Sequence, residues 1–273
     1  MHPTPWHQAN VTFHDWDRAE TTALTHLAPL LHAAENDGAL AAWFVIRKRP
    51  CWRVRYQPGP GRHDRITRGL DELTAAGHIE GWTPSVYEPE VHAFGGTEAM
   101  DSAHRLFHHD SRGFLTGEPR THRSETSLIL CNLLMHSAGL DWYERGDVWA
   151  RVAAHRAQPE TAAGDGHDRP RTAVHRLLSV DPQYAMRPGG PLAHATKRAR
   201  AHSAAGAELA QLHAAGRLHR GLRDVLAHHV IFAWNRIGLP YATQTAFAAA
   251  AKTVVFGPDP TTERSTADRV ETP

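Results

Sequence analysis

Residues 82–115 read WTPSVYEPEVHAFGGTEAMDSAHRLFHHDSRGFL, and the period of the pattern changes midway. An extended aromatic and β-branched run from Trp82 to Phe94 gives way to helical spacing of Ala99, Met100, Ala103, Leu106, Phe107 and Phe114. The switch falls at Gly95-Gly96, where the missing Cβ atoms permit positive φ and the close approach of another chain segment or a ligand. Thr97 is placed to cap the helix, and Glu98 falls in its first turn, where the helix dipole favours an anion. A strand, a glycine corner and a polar-faced helix make a place to hold a substrate. The same pattern serves equally as a purely structural strand-turn-helix.

Working upstream, Cys51 to Gln57 alternate strictly, with Trp52, Val54 and Tyr56 on one face and Cys51, Arg53, Arg55 and Gln57 on the other. Two arginines on one strand face form a fixed fork for a carboxylate or phosphate, unless that face belongs to a solvated edge strand. Trp43 to Lys48 reads as the preceding strand and residues 6–13, WHQANVTF, as the first. Between them a helix runs from Asp15 or Asp17 to Asn36, with a kink or a break expected at Pro29. A further helix covers Asp64 to Ala76 and stops at Gly77.

Downstream, helices are expected over Arg123–Ala138, Trp142–His155, Ala199–Ala215, Gly221–Ile237 and Ala242–Val254. Residues 157–171 read as an exposed mobile loop, 181–195 as aperiodic, and the polar tail 258–273 as disordered. Strands first and helices later define an α+β fold: a mostly antiparallel sheet with packed helices and a helical C-terminal half, one domain over 1–257.

Composition narrows the function classes. The formal net charge is +1 across 273 residues, which gives no overall drive toward nucleic acid or an acidic membrane. No apolar run reaches membrane-spanning length and MHPTPWHQ lacks the form of a signal peptide, so a cytoplasmic protein is expected. Cys51 and Cys131 are too few for a disulfide framework and read as core thiols. Among the 22 histidines, His104 and His108 are four apart on the expected helix. No HExxH pattern or third ligand accompanies them, so no metal or other cofactor is expected.

YEPEVHAFGG at 87–96, with the Met, Ala-His, Leu-Phe and Asp-Ser that follow, resembles the core of the thiopeptide-type bacteriocin biosynthesis family. That family is similar to the C-terminal elimination domain of class I lantibiotic dehydratases. WHQANVTF, WFVIRKRPCWRVRY at 43–56, SLILCNLLMHSAGLDWYERGDVWARVA at 127–153 and HHVIFAWNRIGL at 228–239 extend the resemblance to about Gly257.

The resemblance implies elimination of glutamate from glutamylated Ser or Thr of a ribosomally made precursor peptide, leader plus core, supplied by a glutamylating dehydratase acting in trans. Such chemistry needs a base for the Cα proton and positive groups for the enolate and the departing carboxylate. Arg53 and Arg55 match the family's paired strand arginines. Two other matches fail. Ala93 stands where elimination domains carry an arginine before the aromatic-Gly-Gly turn, and Ile231 and Ala233 occupy the places nearest the histidine that precedes Asn-Arg.

His228 or His229 lies one to two turns earlier, aligned with Asn235 and Arg236 respectively, and either is a base or a cap on an apolar helix face. His92, His104 and His108 are further candidates beside Gly95 and Gly96. The departures keep open a thiopeptide pyridine synthase joining two dehydroalanines by formal [4+2] aza-cycloaddition, in which Tyr87, Glu88, Glu90 and Ser111 would position the peptide. A non-catalytic partner binding the precursor peptide or a dehydratase through an exposed strand edge is the third reading.

Overall fold

The computed structural model describes residues 5–60, 64–116, 122–156 and 168–257. Strand β1 (His7–Thr12) is followed by α1 (Ala19–Thr22), a π turn over Ala23–Leu27, and α2 (Ala28–Asn36). The interruption expected at Pro29 takes this form: one helix widened just ahead of the proline, where the ring removes an amide donor. Strands β2 (Leu40–Lys48) and β3 (Cys51–Pro58) form a hairpin, and α3 (Arg65–Ala75) leads to β4 (Gly81–Ser85).

The sheet order is β2-β3-β1-β4 and every pairing is antiparallel. The arginine strand β3 is therefore central, bonded on both sides, and not the solvated edge that its alternation also allowed. One face of the sheet carries Ala9, Val11, Val45, Trp52 and Val54, all buried in the main core with Leu27 and Leu31 of the first helices. The alternation of β3 thus buries Trp52 and Val54 by the hydrophobic effect and sends Arg53 and Arg55 to the opposite face.

The extended run does not continue to Phe94. After Ser85 the chain passes through Pro89, and residues 91–95 turn, with Gly96 N–H reaching Val91 O at 2.9 Å. Pro89 can join no ladder, which ends the strand early. Helix α4 (Thr97–Phe114) then starts on Gly96; Thr97 is its first helical residue and makes no side-chain cap.

Helices α5 (Arg123–Ser137), α6 (Trp142–His155), α7 (Asp168–Leu178) and α8 (Pro182–Met186) follow, then α9 (Thr196–Ala214), α10 (Leu222–Ile237) and α11 (Tyr241–Phe256). Helix α7 begins inside the segment read as a loop; residues 157–167, like the tail from 258, lie outside the described residues. Cys131 is buried, while Cys51 at the start of β3 is only half-buried, so one of the two expected core thiols stands nearer the surface. Among the described residues no helix is long and apolar enough to cross a membrane.

Helix α4 lies along the free edge of β2. The Val45 amide donates to Ser111 Oγ at 3.2 Å, and His108 Nδ1 sits 3.0 Å from Trp43 O. Side chains of α4 thus complete hydrogen bonds that another strand would otherwise make.

Candidate functional site

Antiparallel register builds two polar rows on the sheet face opposite the main core. One row runs Ile46, Arg53, Asn10, Thr83; the next runs Phe44, Arg55, Gln8, Ser85. Its apolar end is covered by a second cluster containing Phe44, Ile46, Tyr87, Phe94, Met100 and Phe107. Thr83 and Ser85 are exposed, and Arg53 and Asn10 are half-buried, so the far end of the face is open.

Arg55 is the fixed element. It is 8% exposed, its Nε donates to Gln8 Oε1 at 2.8 Å, and Gln8 in turn holds Asn10 at 3.0 Å. The guanidinium lies 4.2 Å from the Tyr87 ring centroid and 5.5 Å from that of Phe44. Burial lowers the Arg55 pKa somewhat, with Tyr87 and Glu90 acting the other way.

Tyr87 comes from the turn after β4 and His104 from the second turn of α4. Their side chains meet, hydroxyl to Nε2, at 2.8 Å. Trp6 covers the imidazole at a ring distance of 4.5 Å. Burial, with Arg55 and Arg105 adding to it, pushes His104 down to about 4, so the ring is neutral at pH 7. Burial pushes the Tyr87 phenol up to about 12 against the pull of Arg55. A neutral acid, a neutral base and a fixed cation are therefore one contact apart, at the edge of an open polar face.

The glycine corner has another purpose than the one its sequence suggests. Gly95 and Gly96 have φ of +88° and +117°, as the pair requires. Their neighbours are protein: a Cβ on Gly95 would sit 2.9 Å from Val225 Cγ2, and one on Gly96 3.3 Å from His219 Nδ1. Gly95 O also accepts from His219 N at 2.9 Å. The corner binds the start of α10, and both glycines are buried.

His229 is 1% exposed, behind Phe94 at 4.9 Å and Phe107 at 6.0 Å between ring centroids. Phe44 lies between Phe107, tilted against it at 5.2 Å, and Arg55, so an aromatic layer separates His229 from the arginine face. Burial, then Arg236, holds its pKa at about 3, and neither ring nitrogen finds a partner among the described residues. His228 is half-buried beside His155, at 5.4 Å. The structure thus does not bring either histidine to Arg53 and Arg55.

The other sequence candidates divide clearly. Glu90 and His92 are exposed on the turn beside Tyr87, Glu90 close enough to act on Arg55. His108 and Ser111 serve the β2 edge, and His108 also lies 3.6 Å from Glu35, so it does not share a site with His104. Asn235 bonds Gln244 at 3.3 Å. Arg236 is fully buried, with Nε donating to Asp110 Oδ2 at 2.8 Å, while Arg198 meets Asp110 Oδ1 at 2.8 Å. Burial would raise the Asp110 carboxyl, but Arg198 and Arg236 hold it well below the usual carboxylate range.

Gln8, Trp6 and Phe44 were not singled out from the sequence. Gln8 could have been: it is two residues from Asn10 on the first strand, facing the same way as the arginines of its neighbour. Among the described residues, no three His, Cys, Asp or Glu side chains are grouped as metal ligands.

The chain is thus an α+β fold with an arginine-bearing central strand and a bonded Tyr87–His104 pair beside its open face. Residues 6–255 match the family described as the C-terminal part of the lantibiotic biosynthesis dehydratase, and the chain belongs to that family. Two solved structures share the fold. One is the tRNA dependent lantibiotic dehydratase MibB from Microbispora sp. 107891, 18% identical, with a TM-score of 0.58, covering 100% of this chain and 29% of that one. The other is TsrL, 16% identical, with a TM-score of 0.55, covering 94% of this chain and 99% of that one. The chain therefore spans less than a third of MibB but nearly all of TsrL. No curated protein matches the sequence.

Proposed function

We propose that the protein is a peptide-modifying enzyme of lantibiotic- or thiopeptide-type biosynthesis that eliminates glutamate from glutamylated Ser or Thr of a precursor peptide. The observation that carries this reading is Arg55, locked on Gln8 at 2.8 Å and lying against Tyr87, whose hydroxyl is bonded to His104. The Cα proton passes to the Tyr87–His104 pair, and the Cα–H electrons form the new double bond. The Cβ–O bond breaks, and glutamate leaves as a carboxylate held by Arg55 and, from the open side, Arg53. His104 is unprotonated at pH 7 and offers a lone pair for that proton, and it lies close enough to Arg55 to feel its charge, as His229 does not. The substrate implied is a precursor peptide with leader and core, glutamylated by a separate enzyme, with the work done in the cytoplasm.

A second reading, formal [4+2] cycloaddition of two dehydroalanines, draws support from two features. Ala93 replaces an arginine before the glycine corner, and the site offers a neutral acid and a neutral base in place of a strong base. The purified protein is to be incubated with a glutamylated precursor and, separately, with a bis-dehydroalanine peptide, and masses followed. Loss of glutamic acid from the first is expected. Formation of a pyridine with release of a leader fragment from the second would transfer the assignment to cycloaddition, and an inert protein would leave neither reading standing.

A further inference from the structure

A cavity of about 550 Å³ lies between α4 and α9, and neither Arg53 nor Arg55 lines it. Ser102, Arg105, His109 and Arg112 recur every three or four residues on α4, and Lys197, Arg200, Ala204 and Glu208 do the same on α9. The two rows face each other. A second cavity of about 400 Å³ shares His109, Arg112 and Lys197 and extends the trough toward His194.

Charge in the trough is unbalanced. Arg105 pairs with Glu208, which also accepts from Ser102, and Arg112 pairs with Glu35 at 3.0 Å. Lys197 and Arg200 are exposed and have no ion-pair partner among the described residues. Four permanent cations thus meet two carboxylates in one concavity, on a chain whose net charge is only +1. The floor between them is Leu106, Ala201 and Ala205, small enough to admit a backbone.

We infer that this trough binds an acidic peptide segment. The ten helical steps of α4 from Ser102 to Arg112 span about 15 Å, the length of roughly four or five extended residues. Carboxylates of the segment meet Lys197 and Arg200, and its amides lie over the alanine floor. Glu35 and Glu208 disfavour a phosphate backbone, whose charge is continuous, whereas a peptide places its charges at intervals. His104 and Arg105 point to different faces of α4, so occupation of the trough does not depend on the reaction at Arg55.

The test is fluorescence anisotropy with labelled pentaglutamate, pentaserine and a single-stranded RNA of matched charge, at about 0.05 M and about 0.3 M salt. Pentaglutamate is expected to bind and pentaserine not. Lys197→Glu/Arg200→Glu should weaken binding by about tenfold or more. Ala204→Trp, which fills the trough without altering charge, should weaken it similarly. All substituted positions are exposed, and circular dichroism checks that each variant folds. Binding that survives Ala204→Trp, or RNA that binds more tightly than pentaglutamate, overturns the assignment, as does equal binding of the serine peptide.

Discussion

The Tyr87 hydroxyl and His104 Nε2 lie 2.8 Å apart across the glycine corner, one from a turn and the other from a helix, both buried against Trp6. If this pair moves the proton, Tyr87→Phe lowers the rate of glutamate loss by on the order of 10² or more while the substrate still binds. Steady-state kinetics on the glutamylated peptide provide the check. A parental kcat in the phenylalanine variant removes the pair from the mechanism.

Arg55 and its neighbour supply positive charge from a rigid strand. Arg55→Ala is expected to cost about 10² to 10³ in kcat, and Arg55→Lys to recover little, because an ammonium cannot bond Gln8 and a carboxylate in the guanidinium's planar geometry. Arg53→Ala, at the open end, should raise KM more than it lowers kcat. Equal and full activity in both alanine variants would leave the paired arginines without a role.

Three imidazoles are held neutral inside the fold: His104 and His202 at about 4, and His229 at about 3, in each case chiefly by burial. Their folded-state values lie below the ordinary histidine value, so the unfolded chain binds more protons between about pH 6.5 and about pH 4. Stability is then full above about pH 6.5 and declines as pH falls through that window, His104 alone contributing a loss of about 2 kcal/mol at about pH 5. Thermal unfolding midpoints recorded from neutral to mildly acidic pH should drop accordingly, and a flat profile would contradict burial of neutral rings.

Asp110 is the counter-charge for two arginines from two other helices. Asp110→Asn leaves Arg198 and Arg236 buried with no anion between them, a cost of about 3–5 kcal/mol. The urea midpoint reads it directly. A loss under about 1 kcal/mol would mean that water or an anion already neutralises the pair.

Gly95→Ala combines a positive φ with a Cβ 2.9 Å from Val225, whereas Gly77→Ala has a φ of +71° and nothing within 4 Å. Both substitutions strain the backbone by about 1 kcal/mol; the Gly95 variant should lose about 1–3 kcal/mol more through overpacking against α10. Comparing the two unfolding midpoints separates crowding from strain, and equal midpoints would refute the contact.

What could be read from the sequence depended on range. The alternation of Cys51–Gln57 and the bounds Trp142–His155 are local patterns, and the structure follows both. The strand from Trp82 was read too long because aromatic and β-branched residues outweighed Pro89 in a pattern that no ladder supports. Asp110 gave no signal, since its partners lie 88 and 126 positions away. Arg236 did give one: it sits in LRDVLAHHVIFAWNRI, a helix apolar nearly all round, where a buried guanidinium demands a carboxylate. The seal between His229 and Arg55 rests on three phenylalanine rings from a helix, a strand and a turn, which no single window contains.

Ser111 and His108 occupy the outer rim of β2, and Pro84 sits in β4 with no amide hydrogen to give. An extended peptide arriving at the β2 flank meets Trp43 and Val45 backbone groups already bonded to His108 and Ser111. A peptide held on that side of the sheet would be gripped by side chains, which ties its specificity to a few contacts.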